Sequence, residues 1–348
     1  MVSSMNQKNV NGIILWLSLV CLMVFGMVIV GGITRLTHSG LSIVEWKPLM
    51  GAIPPMGEAG WNEVFEKYKQ FPEYQKVNNQ MNLDEFKYIF YWEYFHRLLG
   101  RLIGVVFFFP FLYFAIRKEI GAALMKRLSL AFILGGLQGL MGWYMVKSGL
   151  VDMPSVSHYR LAAHLMLAFV IFAYILWIIL DLISDKKEKP VSGAKNSMFS
   201  FSVFVTGLIV LQIIFGAFTA GKKAGLNYNT FPKMNDSWIA PEVFEMSPLI
   251  INFFENSAGI QFAHRMIAWI VVLALAYFGH RAARNARSKK LKRAVYLLSG
   301  TLVLQFILGV ITLLLQVPIY MAAIHQAGAF IFFGSAIFVN HSMLHDFD

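Results

Sequence analysis

Two stretches of the chain, WEYFHRLLGR (Trp92 to Arg101) and IQFAHRMIAW (Ile260 to Trp269), place a histidine and an arginine side by side at the mouth of a long apolar run. Ionisable groups inside a membrane are costly and mark functional sites by default. Two further histidines, His164 in YRLAAHLMLAF and His325 in YMAAIHQAGAF, share a second recurring setting. The four residues form two matched sets, His96 with His264 and His164 with His325. Within each half of the chain the two histidines belong to different helices of one bundle. Imidazoles facing each other across a bundle core make a bis-histidine haem site. The plainer alternative is that each histidine bonds a backbone carbonyl or bridges two helices without metal; the recurrence favours haem. The unmatched His38 and His158 on one side, and His280, His341 and His345 on the other, read as solvated or interfacial.

The arginines fit the same chemistry. Arg97 and Arg265 follow their histidines directly, and Arg101 and Arg160 stand about one turn away from His96 and His164. A guanidinium pairs well with a carboxylate such as a haem propionate, although snorkelling to lipid headgroups explains a single arginine nearly as well. The halves also differ. Glu93 lies three residues before His96, on the same helix face, whereas Gln261 occupies that place before His264 and cannot ionise. Met321 likewise replaces Arg160. This asymmetry points to chemistry in the N-terminal half and electron storage in the C-terminal half, with Glu93 as the added acid or base; an interfacial carboxylate paired with an arginine is the alternative. Gln138 and Gln305, each four residues before a glycine (Gly142, Gly309), read as helix-contact positions.

The elements that position these groups follow from composition. Of 348 residues, 57% are hydrophobic and 14% charged, against about 25% charged in soluble domains. Eight apolar runs are long enough to cross a bilayer: 13–35, 90–116, 127–147, 158–180, 198–221, 258–280, 294–316 and 320–342. The expected class is an all-α integral membrane protein with eight transmembrane helices in two pseudo-symmetric four-helix bundles. The net charge of +11 does not indicate nucleic acid, because the basic residues lie between apolar spans. They concentrate in 1–12, 117–127, 181–197 and 280–293 and thin out in 147–160, 222–257 and 317–324, which puts both termini on the cytoplasmic side and the haem sites near the external side. The sole cysteine, Cys21, sits inside the first apolar run, so no intrachain disulfide or C-x-x-C-H haem attachment can be built. The polar N-terminus lacks an Arg-rich transit peptide, which favours a bacterial inner membrane over an organelle.

Internal similarity sets the domains. EYFHRLLGRLIGVVF matches QFAHRMIAWIVVLAL, LQGLMG matches LQFILG, and GGITRLTHSGL matches GAFTAGKKAGL with Gly, Thr, Gly and Leu in register. The chain therefore reads as a duplication: residues 1–185 as one bundle with a long external loop, 36–89, and residues 186–348 as the other. The loop sequence WNEVFEKYKQFPEYQKVNNQMNLDEF reads as short amphipathic helices over the bundle mouth.

The motifs GLSIVEWKPLMGAIPP, PEYQKVN, FYWEYFHRLLGRLIG, SGLVDMPSVSHYRLAAHL, AGLNYNTFP and AAIHQAGA, in this order from the first helix to the last, resemble the haem A synthase family, in its branch with a long first external loop and no loop cysteine pair. The resemblance implies oxidation of the C8 methyl of haem O to a formyl group, through a hydroxymethyl intermediate, to give haem A for terminal oxidases. It implies that His96 and His164 hold the substrate haem, that His264 and His325 ligate a haem b cofactor, and that Glu93 is the carboxylate near the substrate. The compatible partners are haem O, membrane lipids, a haem O synthase, an electron donor and a homo-oligomer. Residue chemistry alone leaves two rivals open: a di-haem membrane cytochrome b that only carries electrons, and a repeat-built transporter with histidines in its pathway.

Overall fold

The computed structural model describes residues 7–45, 50–149, 156–184, 197–285 and 288–344. His345, most of the segment 181–197, and parts of the motifs at 40–55 and 148–165 lie outside these residues. The described chain is helical, without a sheet, and eight of its helices are long and apolar enough to cross a membrane, as expected of a multi-pass membrane protein. They are α1 (Gln7–Leu36), α4 (Leu83–Ile116), α5 (Ala122–Gly149), α6 (His158–Ile183), α7 (Ser197–Gly221), α8 (Ser257–Asn285), α9 (Lys289–Leu314) and α10 (Ile319–Met343), with α2 (Gly57–Lys69) and α3 (Pro72–Lys76) in the first long loop. A helix satisfies its backbone groups internally, which hydrocarbon demands of any spanning segment.

The chain packs as two compact units. One covers Leu19–Ala168; the other gathers the residues up to Ser18 and the chain from Phe169 onward. In the latter, α7 packs on α8, α8 on α9, α9 on α10, and α10 back on α7, closing a ring of four helices. Ser202 Oγ donates to Asn340 Oδ1 (2.7 Å) and Asn340 Nδ2 to Thr206 Oγ1 (2.9 Å), so α7 and α10 are joined by polar side chains. Such bonds matter in lipid, where burial of apolar surface gives little drive for helix association. α9 and α10 are joined by a tight hairpin, in which Gln316 and Val317 take left-handed backbone angles (φ 60° and 58°) and Pro318 caps α10.

In the first unit, α4 begins at Leu83, several residues earlier than its apolar run. Asn82 explains this: its side chain accepts from the backbone N–H of Asp84 and Glu85, while Glu85 reaches back to the Asn82 N–H, a capping box. The resulting extension of α4 carries Phe86, Ile89, Phe90 and Tyr94, which pack with Trp61, Phe65 and Tyr68 of α2. Phe65 stacks on Phe86 at 4.9 Å and Trp61 meets Phe90 edge-on at 5.1 Å. The loop helices thus dock on the α4 extension through an aromatic core of their own.

Candidate functional site

Each of the four matched histidines lies early in its helix or, for His96, early in the apolar part of α4. His164, His264 and His325 stand about 9–11 Å below the first residue of α6, α8 and α10 at ~1.5 Å per residue. Each ring rests against a glycine of the preceding membrane helix. An ideal Cβ at Gly31 of α1 would stand 3.0 Å from His96 Nε2, and one at Gly142 of α5 would stand 3.2 Å from His164 Cε1. In the C-terminal half the same atom at Gly216 of α7 would be 3.2 Å from His264 Cε1, and at Gly309 of α9 3.0 Å from His325 Cε1. Only a residue without a side chain lets an imidazole approach this closely. The two rings of each half lie within electrostatic range of one another, His96 with His164 and His264 with His325.

Amides from the same preceding helices reach these rings. Gln212 Nε2 is 3.1 Å from His264 Nδ1 and 3.3 Å from its Nε2. Gln305 Nε2 is 3.2 Å from His325 Nδ1 and donates to the His325 carbonyl at 3.0 Å. Gln138 Nε2 donates to the His164 carbonyl at 3.1 Å and is 3.5 Å from its Nε2. Gln138 and Gln305 are therefore more than packing residues, and Gln212 is a member of the set that its spacing to Gly216 could have disclosed.

The helix turn around each first histidine also clamps the loop that precedes its helix. Glu93 is buried, and both its oxygens are engaged: Oε2 accepts from Ser42 Oγ (2.8 Å) and the Ile43 N–H (2.7 Å), Oε1 from Arg97 Nε (3.0 Å) and Nη2 (2.6 Å). Arg97 further donates to the carbonyls of Ile43 (2.8 Å) and Glu45 (3.2 Å). In the other half, Gln261 and Arg265 donate to the Tyr228 carbonyl at 3.0 and 2.7 Å, and Arg265 also to those of Thr230 and Lys233, both at 3.0 Å. The guanidiniums thus hold loop backbone as well as standing near the histidines. Arg160 lies over the Tyr144 ring at 4.7 Å, and Arg101 follows Arg97 by one turn, partly buried. Beside the Glu93 clamp a small cleft is lined by Ile43, Val44, Glu45, Arg97, Trp143, Val146 and Lys147.

A second buried acid, Glu73 of α3, was not singled out by its sequence. Its Oε2 accepts from the Tyr68 hydroxyl at 3.3 Å, and Asn78 Nδ2 donates to that hydroxyl at 2.8 Å. Burial, with the charge of Glu93 added, pushes its carboxyl from 4.5 up to about 8, against a smaller opposing effect of the Tyr68 bond. Two histidines expected to be solvated or interfacial are instead buried. His341 is fully enclosed, with Nε2 2.9 Å from Asp181 Oδ1, and His158 stacks near Tyr159 at 4.0 Å between ring centres. A periodicity reading missed them because each finds its partner within the fold. His38 and His280 are exposed as expected.

Among the described residues no three His, Cys, Asp or Glu side chains converge on a metal-sized site. Each half offers two imidazoles, the donor type that would hold a haem iron. The glycine cradles and the buried, unpartnered Nδ1 of His164 fit histidines set to hold a metal-bearing group.

Comparison with known proteins finds relatives along almost the whole chain. The chain is 50% identical over 331 residues to a heme A synthase of Nitrosospira multiformis, covering 95% of this chain and 93% of the relative. It is 49% identical over 341 residues to a heme A synthase of Nitrosomonas eutropha (97% and 95% covered), and 43% identical over 339 residues to one of Flavobacterium psychrophilum (96% and 99% covered). A family model described as cytochrome oxidase assembly protein matches residues 14–337. The chain belongs to the family of cytochrome oxidase assembly proteins that this model describes.

Proposed function

We propose that the chain oxidises the C8 methyl group of haem O to a formyl group, by way of the hydroxymethyl compound, and so makes haem A. The observation that carries this reading is an asymmetry between two otherwise matched sites: both halves seat a pair of histidines against glycines, and only the N-terminal half adds a carboxylate, Glu93, one turn before its first histidine. The similarity to heme A synthases over nearly the whole chain supports it.

In this reading the two halves are four-helix bundles, 1–185 and 186–348. His96 and His164 would hold the substrate haem O; His264 and His325 would ligate a resident haem b that passes electrons. Haem iron, when bound, supplies redox chemistry and a place to activate oxygen. The residues of the chain do the rest. The Glu93–Arg97 clamp fixes residues 42–45 against the helix turn that carries His96. Glu93, held by Ser42, Ile43 and Arg97, would bring a carboxylate to the substrate half, where it would stabilise positive charge developing on the oxidised group. Arg97, Arg101, Arg160 and Arg265 would be the candidates to pair with the propionates. The protein sits in a bacterial inner membrane with both termini cytoplasmic and the haem sites toward the external side. A haem O synthase supplies the substrate, and a separate donor supplies electrons.

The test is expression of the full chain with a haem O supply, followed by haem extraction and chromatography. Haem A bound to the protein or released from it is the expected result. A red protein that yields only haem b, with haem O left unconverted, would overturn the reading in favour of an electron carrier.

A further inference from the structure

Three of the four ring cradles share a two-residue pattern. On α5, α7 and α9 a glutamine precedes the cradle glycine by four residues and so lies on the same helix face one turn away: Gln138 with Gly142, Gln212 with Gly216, Gln305 with Gly309. On α1 the residue four before Gly31 is Met27. Gly31 and Gly216 are matched in the duplication, so Met27 is the counterpart of Gln212. Its methyl group packs toward Gly100, one turn after His96, where an added Cβ would stand 3.2 Å from Met27 Cε.

The consequence is a graded hold on the rings. Gln212 reaches the His264 ring at 3.1 Å, Gln305 the His325 ring at 3.2 Å, and Gln138 the His164 ring at 3.5 Å while holding its backbone. Among the described residues no side chain hydrogen-bonds the His96 ring. A ligating imidazole gives one nitrogen to the metal and offers the other as an N–H donor, and the acceptor of that bond fixes its orientation and raises its basicity. The Oε1 atoms of Gln138, Gln212 and Gln305 are buried without partners, and an amide that turns over can present its oxygen to the ring. A thioether is only a weak acceptor.

We infer that the methionine at position 27 makes His96 the exchangeable ligand among the four histidines, and that Gln212 is the positioning residue that makes His264 a permanent one. This rests on the haem reading above. It deepens that reading, because a haem held by two firm histidines has no position for oxygen, and His96 is the ligand nearest Glu93 in sequence and on the same helix face.

Carbon monoxide tests this, since it binds ferrous haem only where an axial histidine has left. With the full chain purified with its haems and reduced, the wild type should bind carbon monoxide at one haem. Met27→Gln should slow that binding by roughly tenfold, the lower end of the usual effect of an outer-shell partner. Gln212→Met should create a second haem that binds carbon monoxide. Met27→Leu, which fills the space without a hydrogen bond, should keep the wild-type rate. Unchanged binding in Met27→Gln and Gln212→Met at full haem content overturns the inference and leaves the haem reading standing, as does equal slowing by leucine and glutamine at position 27. A wild-type chain that purifies without a Soret band overturns both.

Discussion

The two halves solve the same positioning problem with different chemistry. Around His264, a neutral amide and an arginine hold the loop at 228–233 through backbone carbonyls alone, and no carboxylate touches Arg265 among the described residues. Around His96, the same two helix positions carry Glu93 and Arg97, which form a buried ion pair and bind the loop at 42–45 through both its N–H and its carbonyl groups. The C-terminal rings are held by two close amides; the N-terminal rings have one longer amide contact and a methionine. The C-terminal site is therefore built to keep its geometry. The N-terminal half combines a negative charge with a longer amide contact to its histidines, the arrangement that the proposed chemistry there would use.

That contrast can be broken first at the glycines. Gly216→Val or Gly309→Val puts a side chain where the imidazole stands. Each variant should lose the haem of the C-terminal half almost completely while keeping that of the N-terminal half; Gly31→Val and Gly142→Val should do the reverse. Haem content and the spectrum of the remaining haem decide it, and loss from both halves in every variant would remove the independence of the sites.

The clamps should differ in cost. Arg97→Leu leaves Glu93 buried with half its partners, which typically costs about 3–5 kcal/mol. Arg265→Leu leaves only neutral carbonyls unmatched, at about 1–3 kcal/mol. Thermal unfolding of the two variants in detergent should rank them in that order, and the double change Glu93→Gln with Arg97→Leu should recover part of the loss.

The smallest effect concerns pH. Folded, Glu73 keeps its proton up to about 8, whereas unfolded it releases it near 4.5. The docked loop therefore binds an extra proton between those values, and it is destabilised as pH rises through that window, with no further change above it. Protection of the α2 and α3 amides from hydrogen exchange, corrected for intrinsic rate, should decline from pH 5 to 8. Glu73→Gln should flatten the trend.

Much of this was legible in the sequence for identifiable reasons. Spans of about 20 apolar residues announce themselves, and the duplication exposed the histidine pairs because His96, His264, His164 and His325 recur in register. The substitution of Gln261 for Glu93 was equally visible. The early start of α4 was not, because the Asn82–Glu85 capping box acts outside the apolar run that defined the helix. Gln212 was overlooked because its counterpart is Met27, so a search for matched residues passes over it. The burial of Glu73 and His341 depends on partners, Tyr68 and Asp181, that only folding brings close.

The central claim, that the N-terminal half performs chemistry the C-terminal half only supports, is tested most directly at Glu93. The full chain and its Glu93→Gln variant, which copies Gln261, would be expressed with a haem O supply and their extracted haems separated. The account predicts haem A from the wild type, and from the variant an undiminished haem b with haem O or its hydroxymethyl derivative in place of haem A, a loss of roughly 10²- to 10⁴-fold in conversion. Equal yields of haem A from both proteins would contradict it.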